Sequence, residues 1–159
     1  MLNAKCKIHN LLLLFCILYF ALCISSCSIP NLESPECSDA RNAIRELYSF
    51  HFGNDMNTSM ENIELRSKFL TSSFKKLLIR RHRAGEGSKV ADEFTKTVSD
   101  FPKAFRVGKC TLNESKNKTT VEVVLFWKDD QRNDQRALQV EAQMEDAKWF
   151  VSDVKLLPE

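Results

Sequence analysis

Apolar and polar positions alternate along the last third of the chain, in three successive runs separated by short polar turns. The apolar members of the first two runs are Val121, Val123, Leu125, Leu138, Val140, Ala142 and Met144, and residues 149–156 form the third run. Alternation with a period of two is typical of a strand with one buried face and one face in water. The pattern therefore predicts an antiparallel meander, whose apolar face must be covered by elements upstream.

One more strand is predicted before this meander. It begins at residues 105–107 and ends near Leu112, and the polar residues 113–118 then reverse the chain. Residues 128–135, all charged or polar, are predicted to form the loop of the next hairpin. The predicted sheet therefore has four strands.

Residues 36–52 have the spacing of an amphipathic helix. Ser34, Pro35 and Glu36 place a capping hydroxyl, a proline at the first helical position and an acid in the first turn. The buried stripe is predicted to comprise Ala40, Ala43, Ile44, Leu47, Tyr48 and His51, and the outward positions Arg41, Arg45 and Ser49. Gly53 tolerates the left-handed backbone of a C-terminal cap, so the helix is predicted to end near position 52.

A second helical region begins at Ser59, from which apolar residues recur every three or four positions as far as Leu78. Residues 71–73 are Thr-Ser-Ser, and their hydroxyl side chains favour caps over helix interiors. We therefore predict two helices with a break at this point, the second ending at residues 80–83. A further short helix is predicted over residues 91–98.

The start of the chain has the pattern of a secretory signal peptide. Lys5 and Lys7 precede a continuous apolar run of 14 residues, 11–24, and two serines follow it. A membrane-spanning helix needs roughly 20 apolar residues, so an uncleaved anchor is the weaker alternative. With 159 residues in all, the chain is long enough for one globular domain after this leader.

Residues 24–27, Ile-Ser-Ser-Cys, resemble the lipobox of bacterial lipoproteins. The resemblance implies that Cys27 receives a diacylglyceryl group and becomes the first residue of the mature protein. The alternative is that an ordinary signal peptidase discards Cys27 and releases a soluble secreted domain. The expected organisation is a signal peptide over residues 1–26, a tether over 27–35 and one domain over 36–159.

Charge is evenly balanced outside the leader. Lys5 and Lys7 are two of the 23 basic residues of the chain, so the remainder carries 21 basic and 21 acidic residues. A neutral domain with mixed surface charge gives no electrostatic reason to expect nucleic acid as a partner. The densest basic cluster, Lys75, Lys76 and residues 80–83, either meets anionic headgroups or an acidic partner, or complements the negative end of a helix dipole.

Cys37 and Cys110 are the two cysteines that remain after the leader and Cys27. Exported proteins mature in an oxidising compartment, where a pair of thiols tends to form a disulfide. This bond would connect the start of the first helix to the first strand. Two free buried thiols are the alternative.

The order of these elements resembles that of the nuclear transport factor 2-like superfamily, and looks closest to its secreted or lipid-anchored bacterial branch. The resemblance covers about residues 36–157: a helix that carries Tyr48, a second helical block, and a meander whose last strand includes residues 149–154, Trp-Phe-Val-Ser-Asp-Val. It implies an α+β fold in which N-terminal helices pack on a strongly curved, cone-like, four-stranded antiparallel sheet.

Members of this superfamily bind small ligands between sheet and first helix, pair into dimers through the sheet, or catalyse isomerisation and dehydration. None of their catalytic motifs aligns with this chain, so chemistry alone nominates Tyr48, His51 and Asp100. A tyrosine and a histidine one helical turn apart could share a proton transfer with a carboxylate. The alternative is that both rings pack in the core and direct their polar atoms to water or a carbonyl.

Other kinds of site find little support. After the leader, two histidines remain without metal-ligand spacing to a cysteine, and the four glycines form no phosphate loop, so neither a metal nor a cofactor is predicted. Glycosylation motifs begin at Asn57, Asn113 and Asn117. They would have to lie in surface loops if the protein were secreted by a eukaryote.

We therefore expect a lipid-anchored binding or interaction module of the cell envelope, without catalytic activity, facing the periplasm or the cell exterior. Its expected contacts are the membrane, through lipid on Cys27, and a small apolar ligand or a protein partner in the cavity between helices and sheet. A cavity enzyme of the isomerase or dehydratase type and a homodimer formed through the sheet are the alternatives.

Overall fold

A block of helices is followed by a block of strands in the computed structural model, which describes residues 37–57, 59–84, 91–128 and 133–157. The helices are α1 (Ser38–Phe52), α2 (Met60–Arg66) and α3 (Ser72–Arg83), with a 3-10 turn (Ser67–Phe69) after α2. The strands are β1 (Ala104–Leu112), β2 (Lys118–Lys128), β3 (Asn133–Glu145) and β4 (Lys148–Leu156). The predicted α+β class, with helices packed on a four-stranded antiparallel sheet, is confirmed. The signal peptide, Cys27, the tether and the predicted cap at Ser34 lie outside the described residues.

The strands form one antiparallel sheet in the order β1-β2-β3-β4. Val123 of β2 pairs with Val107 on one side and Leu138 on the other, so the three side chains share the inner face. The register shifts between Val107 and Cys110 in the β1–β2 pair, and again between β3 and β4. β3 begins at Asn133, so the hairpin loop is shorter than the predicted 128–135.

The core lies between the inner face of the sheet and the helices. Its buried members include Ile44, Leu47, Phe74, Leu78, Val121, Leu125, Leu138, Val140 and Val151. The apolar stripe predicted for α1 is therefore largely confirmed, and Arg45 and Ser49 are exposed as predicted. The outward placement of Arg41 is wrong, since its side chain is buried. Residue 41 precedes Ile44 by three positions and Tyr48 by seven, so it shares the row of side chains that faces the core.

The break predicted near Thr71 is confirmed. Ser59 Oγ accepts the N–H of Asn62 at 3.0 Å and caps α2, and Thr71 Oγ1 accepts the N–H of Phe74 at 3.2 Å and caps α3. The N–H of Thr71 also donates to the carbonyl of Val151 in β4 at 2.9 Å, which fixes the break against the sheet. None of the helices in the described ranges is long and apolar enough to cross a membrane.

The short helix predicted over residues 91–98 is wrong, because this segment forms a tight turn. Asp92 Oδ2 accepts the N–H groups of Phe94 and Thr95 at 3.0 and 2.6 Å, and the N–H of Asp92 donates to the carbonyl of Thr97 at 2.6 Å. Lys96 has a φ of 57°, in the left-handed region. An aspartate that bonds to backbone groups two or three residues ahead competes with helical hydrogen bonds, and here the turn prevails.

The predicted disulfide between Cys37 and Cys110 is present. Their Cα atoms lie 6.2 Å apart, within the usual range for such a bond. It joins the residue that precedes α1 to the C-terminal part of β1 and therefore holds the first helix against the sheet.

Candidate functional site

Tyr48 and His51, the two rings nominated for proton transfer, lie on the buried face of α1, with 0% and 1% of their surface exposed. The carboxylate beside them belongs to Asp92, whose Oδ2 lies 3.1 Å from His51 Nε2. Asp100 is exposed, and its backbone carbonyl accepts the indole N–H of Trp127 at 2.9 Å. The structure thus brings the tyrosine and the histidine together with a different aspartate from the one nominated.

Arg66 of α2 completes this group, which we call the buried network (Tyr48, His51, Arg66 and Asp92). Its Nε donates to His51 Nδ1 at 2.7 Å, and its terminal nitrogens donate to the carbonyls of Asn62 at 2.9 Å and Asp55 at 2.6 Å. Because Nδ1 accepts a hydrogen bond from a guanidinium, the ring proton lies on Nε2 and is donated to Asp92. Charge-assisted bonds therefore connect α2, α1 and the turn after α3.

Tyr48 and Asp92 hold the turn at residues 92–97 against α1. The phenol of Tyr48 donates to the carbonyl of Phe94 at 2.9 Å. Asp92 Oδ2 accepts the hydroxyl of Thr95 at 2.7 Å, in addition to His51 and two backbone N–H groups. The polar atom of the tyrosine goes to a carbonyl, as the packing alternative expected.

The electrostatics of the buried network suit a structural role better than proton transfer. Burial, and then the charge of Asp92, raise the pKa of Tyr48 well above its ordinary value, and a phenol held in its protonated form is a poor base. Burial lowers the pKa of Arg66, while Asp92 and Asp55 favour its charged form. Both ring nitrogens of His51 are already engaged. Across the ranges that the structure describes, no group of three or more His, Cys, Asp or Glu side chains could hold a metal ion.

A second feature is an open groove between α1, the 3-10 turn after α2 and the hairpin that joins β3 to β4. It consists of two adjoining cavities of about 550 and 690 Å³. Residues on its walls include Asn42, Glu46, Lys68, Phe69, Lys148 and Trp149. We call this surface the aromatic groove.

Aromatic rings and one lysine form the floor of the aromatic groove. The rings of Phe50 and Phe69 lie 5.4 Å apart between centroids, and Lys68 Nζ lies 4.7 and 4.9 Å from these centroids. Trp149 and Phe150 of β4 line the other side and are half-buried. An ammonium over aromatic faces is attracted to them, and partly exposed aromatic rings are typical anchors of protein interfaces.

Both signs of charge line the aromatic groove. Glu46 of α1 borders the same cavity as Lys68 and Lys148. Among the described residues, none of these three side chains forms a salt bridge, either within the group or with any other described residue. The described walls of the aromatic groove therefore carry both negative and positive side chains.

Sequence reasoning missed the aromatic groove, because its walls come from three separate segments. The only hint of this surface in the sequence is the presence of aromatic residues at Phe69, Trp149 and Phe150. The sequence alone relates Trp149 and Phe150 to the last strand of the sheet and not to a binding surface.

No protein-family model and no curated protein matches the chain. Among solved structures, a chain of the type VI native effector–immunity complex Tae3–Tai3 from Ralstonia pickettii is similar, with a TM-score of 0.58 and 17% identity, covering 80% of this chain and 98% of that chain. This similarity shows a shared fold. A protein of unknown function from Bacteroides thetaiotaomicron VPI-5482 has a TM-score of 0.49 and 21% identity, covering 73% of this chain and 88% of that one. The intermembrane space region of chloroplast protein ARC6 has a TM-score of 0.46 and 14% identity, covering 82% and 100%.

Proposed function

We propose that this protein is an exported, lipid-anchored module of the cell envelope that binds a protein partner through the aromatic groove and catalyses no reaction. The observation that carries the proposal is a contrast in accessibility. His51 and Tyr48 are buried and bonded within the chain, whereas the aromatic groove is open to solvent. Proton transfer needs groups that a substrate can reach, and binding needs exposed anchors.

The chemistry of the groove favours a protein segment over a small apolar ligand. A ligand that satisfies Glu46 and Lys148 must present both signs of charge, and one that packs on Phe69 and Trp149 must also present an apolar group. A polypeptide offers all three on neighbouring side chains. The fold shared with a chain of an effector–immunity complex also supports a protein as the partner.

The outer face of the sheet gives little support to the homodimer alternative. Strand register places mainly polar side chains there, including Thr120, Glu122, Gln139, Glu141 and Gln143. Stable homodimer interfaces are usually more apolar than the rest of the surface. A partner bound at the aromatic groove is therefore the better supported interaction.

Two further parts of the proposal rest on the sequence. The order of elements supports membership of the nuclear transport factor 2-like superfamily, with the sheet curved into its cone. Residues 24–27 support a lipid on Cys27, and the residues that follow would space the domain from the headgroups. Two acyl chains, at about 0.8 kcal/mol per buried methylene, suffice for stable attachment.

Cys27→Ser is expected to abolish lipid attachment and to leave the protein either soluble or unprocessed. Folding is expected to stay intact, since residue 27 precedes the predicted domain. The measurement is the intact mass of the protein in membrane and soluble fractions, with Cys23→Ser as a matched change inside the leader. A wild-type protein that washes off membranes and starts at residue 28 or later would identify an ordinary secreted domain instead.

The binding proposal is tested with a photo-crosslinking residue at position 42, on the exposed side of α1 in the aromatic groove. Illumination of cells is expected to give a covalent adduct with one envelope protein. Glu46→Lys is expected to reduce its yield about tenfold, because a reversed charge repels the group that Glu46 attracts. Glu61→Lys, the same change at an exposed position of α2, is expected to have little effect.

Three results would contradict the proposal. An adduct with twice the mass of this chain would indicate a homodimer. An equal loss of adduct in Glu46→Lys and Glu61→Lys would show that the groove does not direct the contact. The absence of any adduct would leave the protein without a partner at this surface.

A further inference from the structure

The exposed face of α3 carries a row of cations, which we call the basic stripe. It consists of Lys76, Arg80 and Arg83, and all three side chains are exposed. Positions i, i+4 and i+7 share one face of a helix. With a rise of 1.5 Å per residue the row is roughly 10 Å long.

Among the described residues, the other lysine and arginine residues of α3 pair with carboxylates, whereas the three cations of the basic stripe do not. Lys75 Nζ lies 2.7 Å from Glu64 Oε1, and Arg81 Nη1 lies 2.7 Å from Glu93 Oε1. Within the described ranges, no carboxylate forms a salt bridge with the three cations of the stripe. α3 itself contains no acidic residue. Within the described part of the chain, the neighbouring cations Lys75 and Arg81 are therefore paired and this row is not.

Stabilisation of the helix accounts for only part of the basic stripe. Cations in the last turn interact favourably with the helix dipole, but the effect falls off within that turn. Arg80 and Arg83 lie in the last turn, whereas Lys76 lies near the middle of α3. Like charges four positions apart repel, so Lys76 beside Arg80 weakens the helix. This row repels itself and pairs with no carboxylate of the described residues, which favours a partner outside the chain.

The basic stripe ends at the side of the domain remote from Cys37. Arg81 lies in the same last turn of α3 and forms a salt bridge with Glu93. Glu93 belongs to the turn whose Asp92 is hydrogen-bonded to His51. His51 lies in the last turn of α1 and Cys37 directly precedes its first turn. A helix of 15 residues spans roughly 22 Å, so this separation is large for a domain of this size. The C-terminal end of the basic stripe therefore lies near the C-terminal end of α1, away from Cys37.

We propose that the basic stripe is a second docking surface and that its occupant is an acidic segment of a protein. Carboxylates one helical turn apart, with roughly 5–6 Å between Cβ atoms, match the spacing of the stripe. Lysine and arginine bind carboxylates through charge-assisted hydrogen bonds. The basic stripe is separate from the aromatic groove, and its proposed binding does not depend on binding at the groove.

The probe is a fluorescent helical peptide with glutamates at i, i+4 and i+7, and its control has glutamines there. The purified lipid-bearing protein is expected to bind the glutamate peptide in fluorescence anisotropy, more weakly as salt rises. Lys76→Glu/Arg80→Glu is expected to weaken binding about tenfold. Lys103→Glu/Lys109→Glu makes the same change of net charge at two exposed positions outside α3 and is expected to change binding less than about twofold.

Equal losses in the two double variants would overturn the proposal, because binding would then follow net charge alone. So would equal binding of the glutamine peptide, or no binding of the glutamate peptide. Stripe-dependent binding to vesicles of anionic lipid, without peptide binding, would assign the stripe to a membrane and would also overturn the proposal.

If the substituted glutamates at positions 76 and 80 unfold α3, Lys76→Gln/Arg80→Gln tests the same surface without charge reversal. Normal crosslinking at position 42 in these variants would separate this result from the groove proposal.

Discussion

Replacing Arg66 with methionine is expected to lower the free energy of unfolding by roughly 3–5 kcal/mol, as when one partner of a buried ion pair is removed. Methionine fills similar space but cannot donate to His51 Nδ1 or to the carbonyls of Asn62 and Asp55, which Arg66 reaches at 2.7, 2.9 and 2.6 Å. Asp92 would also lose the nearby positive charge. Urea denaturation followed by circular dichroism measures the change.

Arg45→Met is the matched control, because Arg45 is exposed and its hydrogen bond to Asn42 is a surface contact within α1. This control is expected to remain within about 0.5 kcal/mol of the wild type. Arg66→Met combined with Asp92→Asn should destabilise by less than the sum of the single changes, since both act in one network. Equal stability of Arg66→Met and Arg45→Met would show that the buried network contributes nothing to the fold.

Loss of the Cys37–Cys110 disulfide is expected to lower the free energy of unfolding by about 4 kcal/mol. The bond closes a loop of 73 positions, and the chain-entropy relation for a loop of that length gives about this value. A small domain has only about 5–15 kcal/mol of stability in total, so the reduced protein should unfold at much lower urea. The measurement compares the denaturation midpoint with and without reductant.

Cys37→Ala/Cys110→Ala is the control for reductant, and its midpoint is expected to be the same with and without it. Alanine avoids placing a new polar group at position 37, which is buried. A wild-type midpoint that does not move on complete reduction would contradict the prediction. It would show that packing of α1 against the sheet is sufficient without the covalent bond.

The sequence by itself determined the type and order of the elements. Alternation after residue 119 predicted the meander, the hydroxyl residues 71–73 predicted the break between α2 and α3, and the cysteine count predicted the disulfide. These features follow from the periodicity of one element, from capping groups beside it, or from a count that leaves one pairing. The helix predicted over residues 91–98 was wrong because two structures compete for this segment. The spacing of its residues is compatible with a helix, but the side chain of Asp92 bonds to the backbone N–H groups of Phe94 and Thr95 and stabilises a turn.

Only the tertiary structure decided which side chains meet. His51 bonds to Asp92, 41 positions away, and to Arg66, 15 positions away, and no local pattern ranks Asp92 above Asp100. The aromatic groove likewise needs α1, the 3-10 turn and the β3–β4 hairpin to lie side by side. Local periodicity states which face of an element is buried but not which distant element covers it, and these sites depend on that choice.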